Sequence, residues 1–194
     1  LALRYMEETG VLNIFFSNIS LKKIENFVKL EKMLDLNFIK TNYFNTVEIK
    51  DPIMRLSILV QNKEKSLQEI FCLKKNENKM FNFYSKFEAS PKSFKSIGFT
   101  HGLEKGLNLL LLYMAKKKNF DLYIKSKKFN EEFKWYCKDI IEGSKAIRKF
   151  PINGNDLIKI GYSGKKIGLI LNKLKKDWID SGFKLNKKEL FLQL

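Results

Sequence analysis

Apolar residues in this chain return every third or fourth position, and no stretch alternates apolar and polar residues long enough to build a sheet. Leu103, Leu107, Leu110, Leu111 and Met114 fall on one face of a helix, as do Phe129, Phe133, Cys137 and Ile140. Such a period calls for helices packed on helices. With 194 residues, 44% of them hydrophobic, the chain can bury one or two real cores. The expected fold is all-α, an irregular multi-helix array that ends in a small basic helical tail. No internal repeat of fixed period occurs.

Caps and breakers set the expected boundaries. Residues 1–9 read as the end of a helix closed by Gly10, followed by Val11, Leu12, Ile14, Phe15 and Phe16 as an apolar cluster that packs inward. Ser20 can cap a helix over 21–36, and residues 37–50 read as a loop. Pro52 suits the first turn of a buried helix over 53–60. Further helices are expected over 64–73, 78–88, 102–116 and 120–142, the last interrupted near Ser126. Residues 143–149 then link the body to the tail. Near the end, Asn186 and Glu189 have the spacing of a capping box.

The formal net charge is +16, and all but three of the 37 basic residues are lysine. A composition rich in Lys, Asn, Ile and Phe can follow from AT-rich coding, so the distribution says more than the total. From 143 to 194 there are 12 basic and 4 acidic residues, a net of +8 in roughly the last quarter of the chain. A concentrated basic segment points to a polyanion; for any single lysine, a solvated surface remains the better reading.

Within that segment, residues 150–168 read as a short helix, a glycine turn and a long amphipathic helix. Gly161 fits the left-handed position just past a helix end, and Ser163 can cap the next helix. Ile167, Ile170, Leu171, Leu174 and Trp178 share its inner face. Its start offers free backbone N–H groups, a close approach at Gly164, and Lys165 and Lys166 in the first turn. Anions favour such a place. A nucleic-acid phosphate suits it without any base being read. Lys159 and Lys173 are plausible neighbours, and Tyr162 is the aromatic that reads as exposed enough to stack on RNA. The plain alternative, a turn that only packs, is nearly as good.

Other chemistry is poorly provided for. His101 is the sole histidine, and a lone histidine at a helix start is more often structural than catalytic. No Cys-x-x-Cys, His-x-x-x-His or Asp-x-Asp occurs, nor any nucleotide-binding glycine motif, so no metal ligands and no catalytic residues are identified. Cys72 and Cys137 lie far apart in apolar helical patterns and read as small core residues of a reducing compartment. The longest apolar run, 107–115, is too short to span a bilayer, and no signal peptide pattern is present. The expected place is the cytoplasm, with no membrane partner.

Two stretches resemble one family. Residues 3–16, Leu-Arg-Tyr-Met-Glu-Glu-Thr-Gly-Val-Leu-Asn-Ile-Phe-Phe, look like the close of the neck region in bacterial tRNA nucleotidyltransferases and poly(A) polymerases. The second and more specific stretch is Phe150-Pro151-Ile152-x-Gly154-x-Asp156-Leu157-Ile158-x-Ile160-Gly161, followed by Gly164-x-x-Ile167-Gly168-x-x-Leu171. It resembles the C-terminal segment of the same family. The family often has proline or a basic residue where Tyr162 and Ser163 stand here. The resemblance implies a head, neck, body and tail, with 1–16 the end of the neck, 17–142 the body and 143–194 a tRNA-binding tail.

The family's metal-binding carboxylates lie in the head and its nucleotide-selecting residues in the neck, and neither set has a counterpart here. On that reading the chain is a fragment that needs no cofactor and is inactive alone, while the parent enzyme adds CCA to the tRNA 3′ end from CTP and ATP with magnesium. Rivals stay open: a poly(A) polymerase or A-adding enzyme of the same family, and a stand-alone helical adaptor that binds nucleic acid or protein.

Overall fold

The computed structural model describes residues 2–15, 21–36, 51–59, 71–87, 94–146 and 150–194. Eleven helices and no strand occur among them, so the protein is an all-α, irregular helical array. In chain order they are α1 (Ala2–Glu8), α2 (Val11–Phe15), α3 (Leu21–Leu36), α4 (Pro52–Leu59), α5 (Lys75–Ser85), α6 (Phe94–Ala115), α7 (Phe120–Tyr123), α8 (Lys127–Ala146), α9 (Gly154–Lys159), α10 (Lys165–Asp180) and α11 (Lys187–Phe191).

The larger core forms where α6 and α8 pack along each other and α3, α4 and α5 close over them. Glycines let the two long helices touch backbone to backbone. A Cβ at Gly98 would fall on the Ile140 carbonyl, and one at Gly143 on the Lys95 carbonyl. Gly102 takes φ 80° and ψ 179° and kinks α6 into two halves. Beyond the kink, Leu107, Leu110, Leu111 and Met114 are buried as their spacing required. The buried Glu31 carboxylate accepts from Arg55 Nε at 3.2 Å and from its Nη2 at 2.6 Å, which joins α3 to α4 through a two-pronged ion pair.

A second core belongs to the tail. Leu157, Leu174, Trp178 and Leu190 are buried together with Ile152, and Phe99 of α6 and Ala146 of α8 complete the cluster. The Trp178 ring lies 5.6 Å from Phe99, 5.4 Å from Phe150 and 4.9 Å from Phe183. Lys95 strengthens the junction, pairing with Glu142 at 2.8 Å while lying over the Phe183 ring. The tail is therefore docked on the N-terminal half of α6.

Several boundaries differ from expectation. The helix expected over 78–88 starts three residues earlier, because the Glu77 carboxylate captures the Lys74 N–H at 2.7 Å. The linker expected from Gly143 is helical as far as Ala146, held in α8 by the contact with Lys95. Most of the helix expected over 64–73 and all of the loop over 37–50 lie outside the described residues. At the end of the former, Phe71 and Cys72 form a turn with Cys72 at φ 47°, so Cys72 is exposed and not a core residue. In the apolar cluster after Gly10, Leu12 is buried but Ile14 faces solvent.

Candidate nucleic-acid interface

Local signals in the sequence build the hairpin of α9 and α10. Asn153 caps α9, its side chain accepting from the Asp156 N–H at 3.1 Å while Asp156 Oδ2 accepts from the Asn153 N–H at 2.9 Å. Asp156 also takes Lys187 Nζ at 2.6 Å, which ties α11 to the start of α9. The Lys187 ammonium, and then the Asn153 backbone, hold the Asp156 carboxyl below the usual carboxylate range.

At the other end of α9, Gly161 at φ 97° closes the helix. The Tyr162 N–H donates to the Leu157 carbonyl and the Gly161 N–H to the Ile158 carbonyl, both at 3.0 Å. The same closure recurs after α10, where Gly182 has φ 71° and the Phe183 N–H reaches the Trp178 carbonyl at 2.9 Å.

The turn between α9 and α10 departs from expectation in one respect. Gly164, at φ 58° and ψ −140°, stands at the cap position, and no side chain closes the helix start. Ser163 does not cap α10. The first turn carries no acid and two exposed lysines, Lys165 and Lys166. Cations at the positive end of a helix dipole are unfavourable for folding, so a fold-only reading does not account for them.

The outward face of α10 continues with Gly168, Leu169, Asn172, Lys173 and Lys176, all exposed. A Cβ at Gly168 would meet nothing within 4 Å. Packing does not require glycine there, although a glycine inside a helix costs about 1 kcal/mol against alanine. Its absent side chain leaves the backbone open to close approach. Leu169, 71% exposed, stands among the lysines of this face. On the flank nearer the body, Lys175 lies over the Phe150 ring.

The six residues singled out from sequence are distributed as follows. Gly164, Lys165 and Lys166 form the uncapped start of α10, and Lys159 is exposed in the last turn of α9. Tyr162 is half-buried and packs on the tail core, which leaves less of its ring for stacking than the sequence suggested. Lys173 donates to the Gln193 carbonyl at 2.5 Å and so helps hold the segment after α11. An exposed aromatic was missed elsewhere. Trp135 on α8 is 59% exposed beside Lys138 and Lys145. Its neighbours Phe133 and Tyr136 make the stretch read as core, and only the position of Trp135 off their stripe could have separated it.

Catalytic chemistry has little to work with. His101 packs against the Phe83 ring at 5.1 Å, and burial, then the Lys105 charge, lower its pKa. Among the described residues no three His, Cys, Asp or Glu side chains gather where a metal could sit. No described helix is long and apolar enough to cross a membrane.

Fold and site together define an all-α protein with a docked basic hairpin, in which the start of α10 is uncapped and free of acidic residues. The relatives narrow the class. Over 50 residues the chain is 46% identical to the mitochondrial CCA tRNA nucleotidyltransferase 1 of Danio rerio, a match covering 25% of this chain and 12% of that protein. Over 46 residues it is 44% identical to the same enzyme of Homo sapiens and 41% identical to that of Mus musculus, covering 23% of this chain and 11% of each. The chain thus carries a segment related to CCA-adding transferases, and the matched stretch spans about an eighth or less of their length. No family model and no solved structure matches the chain.

Proposed function

We propose that this chain is the tRNA-holding portion of a tRNA nucleotidyltransferase that adds CCA to the tRNA 3′ end. Residues 1–16 would close the neck, 17–142 form the body and 143–194 the tail. The observation that carries this reading is the uncapped start of α10, where Gly164, Lys165 and Lys166 meet no acid in the first turn. Phosphates there would be held by backbone N–H groups and lysine charge, giving recognition of RNA shape and backbone without base reading. Lys159 would extend the track, and Tyr162 and Lys173 would stand beside it as supports of the hairpin. The local identity to CCA-adding enzymes favours that activity over a poly(A) polymerase or an A-adding enzyme.

The parent's head would supply the magnesium ligands and use CTP and ATP, and this chain alone would bind tRNA without extending it. The cytoplasm is the proposed setting.

The test is tRNA binding across a salt series, with double-stranded DNA of equal charge as competitor. Preference for tRNA and a steep salt dependence are expected. Replacing Lys165 and Lys166 together by alanine should weaken binding and lower the slope of log affinity against log salt by up to about two. An unchanged slope would remove the pair from the interface, and equal competition by DNA would sink the reading.

A further inference from the structure

On the outward face of α8, Trp135, Lys138, Glu142 and Lys145 follow one another at helical spacing. With Lys134 and Ile141 they line an open depression of about 530 Å³. Trp135 is the large ring of this face. Among the described residues it meets one other ring, that of the adjacent Tyr136 at 5.3 Å. The inner stripe of the helix, Phe129, Phe133, Cys137 and Ile140, is buried without it. Trp135 therefore adds little to the core, while most of a large apolar ring stays in water.

The charge around the ring is one-sided. Three lysines and one acid line the depression, and the acid, Glu142, is taken by Lys95 at 2.8 Å. Lys138 and Lys145 form no ion pair among the described residues. Glu131 lies one turn before Trp135 and outside the depression. The positive side thus runs from the ring towards the tail. There a second depression shares Glu142 and Lys145 and continues along Pro151, Phe183 and Leu185. An open aromatic face followed by unpaired cations meets both needs of a nucleotide, a surface for its base and charge for its phosphate.

We propose that Trp135 stacks an unpaired base of an RNA strand, and that Lys138 and Lys145 hold the phosphates that follow it. The inference rests on the reading that the chain holds RNA, and it adds a contact that the tail hairpin does not offer. The hairpin meets backbone alone. A base inside a duplex keeps its faces covered by its neighbours, so Trp135 would select unpaired nucleotides. Every base has a face, so the site would not read sequence. Lys138 and Lys145 stand about 10 Å apart along the helix axis, two turns that one extended strand can follow.

The experiment follows the tryptophan fluorescence of the chain, and the anisotropy of labelled RNA, on titration with oligouridylate and with an RNA duplex of the same length. Trp178, the other tryptophan, is buried in the tail core, so quenching reports Trp135. Oligouridylate is expected to quench and the duplex to leave the emission unchanged. Trp135→Ala should weaken oligouridylate binding by at least about 5-fold, the low end of the worth of one stacked base, and Trp135→Phe should restore most of it. Lys138→Ala with Lys145→Ala should lower the salt slope by up to about 1.4, the value for two phosphates of a single strand. Absent binding, binding without quenching, or an unchanged affinity in Trp135→Ala overturns the stack. Equal quenching by the duplex overturns the choice of unpaired bases, and a slope unmoved by the lysine pair overturns the phosphate contact. The tail pair, Lys165→Ala with Lys166→Ala, separates the two readings. If tRNA binding depends on that pair and not on Trp135, the tail reading stands and this inference falls. If it depends on neither, both fall.

Discussion

The two cysteines show how far one position can depart from its pattern. Both sit in apolar stretches of helical spacing, yet Cys137 is buried in α8 and Cys72 is exposed in a left-handed turn before α5. Burial pushes the Cys137 thiol up to about 12, so it is scarcely ionised near neutral pH. Iodoacetamide at pH 8 should therefore modify Cys72 in the folded chain well before Cys137, with denaturant releasing the second site. Mass spectrometry of the peptides would read this, and equal rates would mean that the α8 core opens readily. Nothing in the residues around Cys72 announces the turn. It follows from where the next helix starts, which Glu77 fixes by capturing the Lys74 N–H. Tyr162 and Trp135 exchange roles for a similar reason, since exposure depends on which neighbours a ring finds and not on its spacing alone.

Helices closed by local chemistry were legible in the sequence. The Asn186–Glu189 box forms with its two hydrogen bonds at 2.7 and 3.1 Å, and Gly161 takes the left-handed turn its place implied. The helix start formed by Gly164, Lys165 and Lys166 was legible because it lies within one short segment, but the Ser163 cap and the exposure of Tyr162 were not met. What the sequence did not disclose is contact between distant elements. Gly98 lay outside the expected helices and Gly143 at the start of an expected linker, and their purpose appears only when α6 and α8 meet. An alanine at Gly143 would drive its Cβ into the Lys95 carbonyl and towards the Phe99 N–H, and backbone cannot step aside as a side chain can. Gly143→Ala should lose at least about 2 kcal/mol of stability in urea unfolding. A neutral result would mean that the two helices can part without cost.

Across the whole molecule, two carboxylates hold sequence-distant pieces together. Asp121 joins the start of α7 to α3, and its hydrogen bonds from Lys22 and then Lys29 pull its carboxyl down to about 2. Asp156 joins α9 to α11 and is likewise lowered. A carboxyl with a folded pKa below its unfolded value stabilises the fold fully above the unfolded value, near 4, and loses that contribution as pH falls through the folded one. Both lie at the surface, so the contribution is modest and screened by salt. The melting temperature should decline between about pH 4 and 2, and Asp121→Asn should make that decline shallower. A decline of unchanged steepness in the variant would assign acid lability to other groups.

The seam between α6 and α8 has a mechanical meaning as well. Side-chain contacts can slide from one rotamer to another, but carbonyls resting on glycines leave no such slack. Phe99 and Ala146, which anchor the tail, lie one and three residues from the glycines of that seam. The hairpin is thus mounted beside a joint that has no side-chain slack, so a shift of α6 against α8 would have to carry the tail with it.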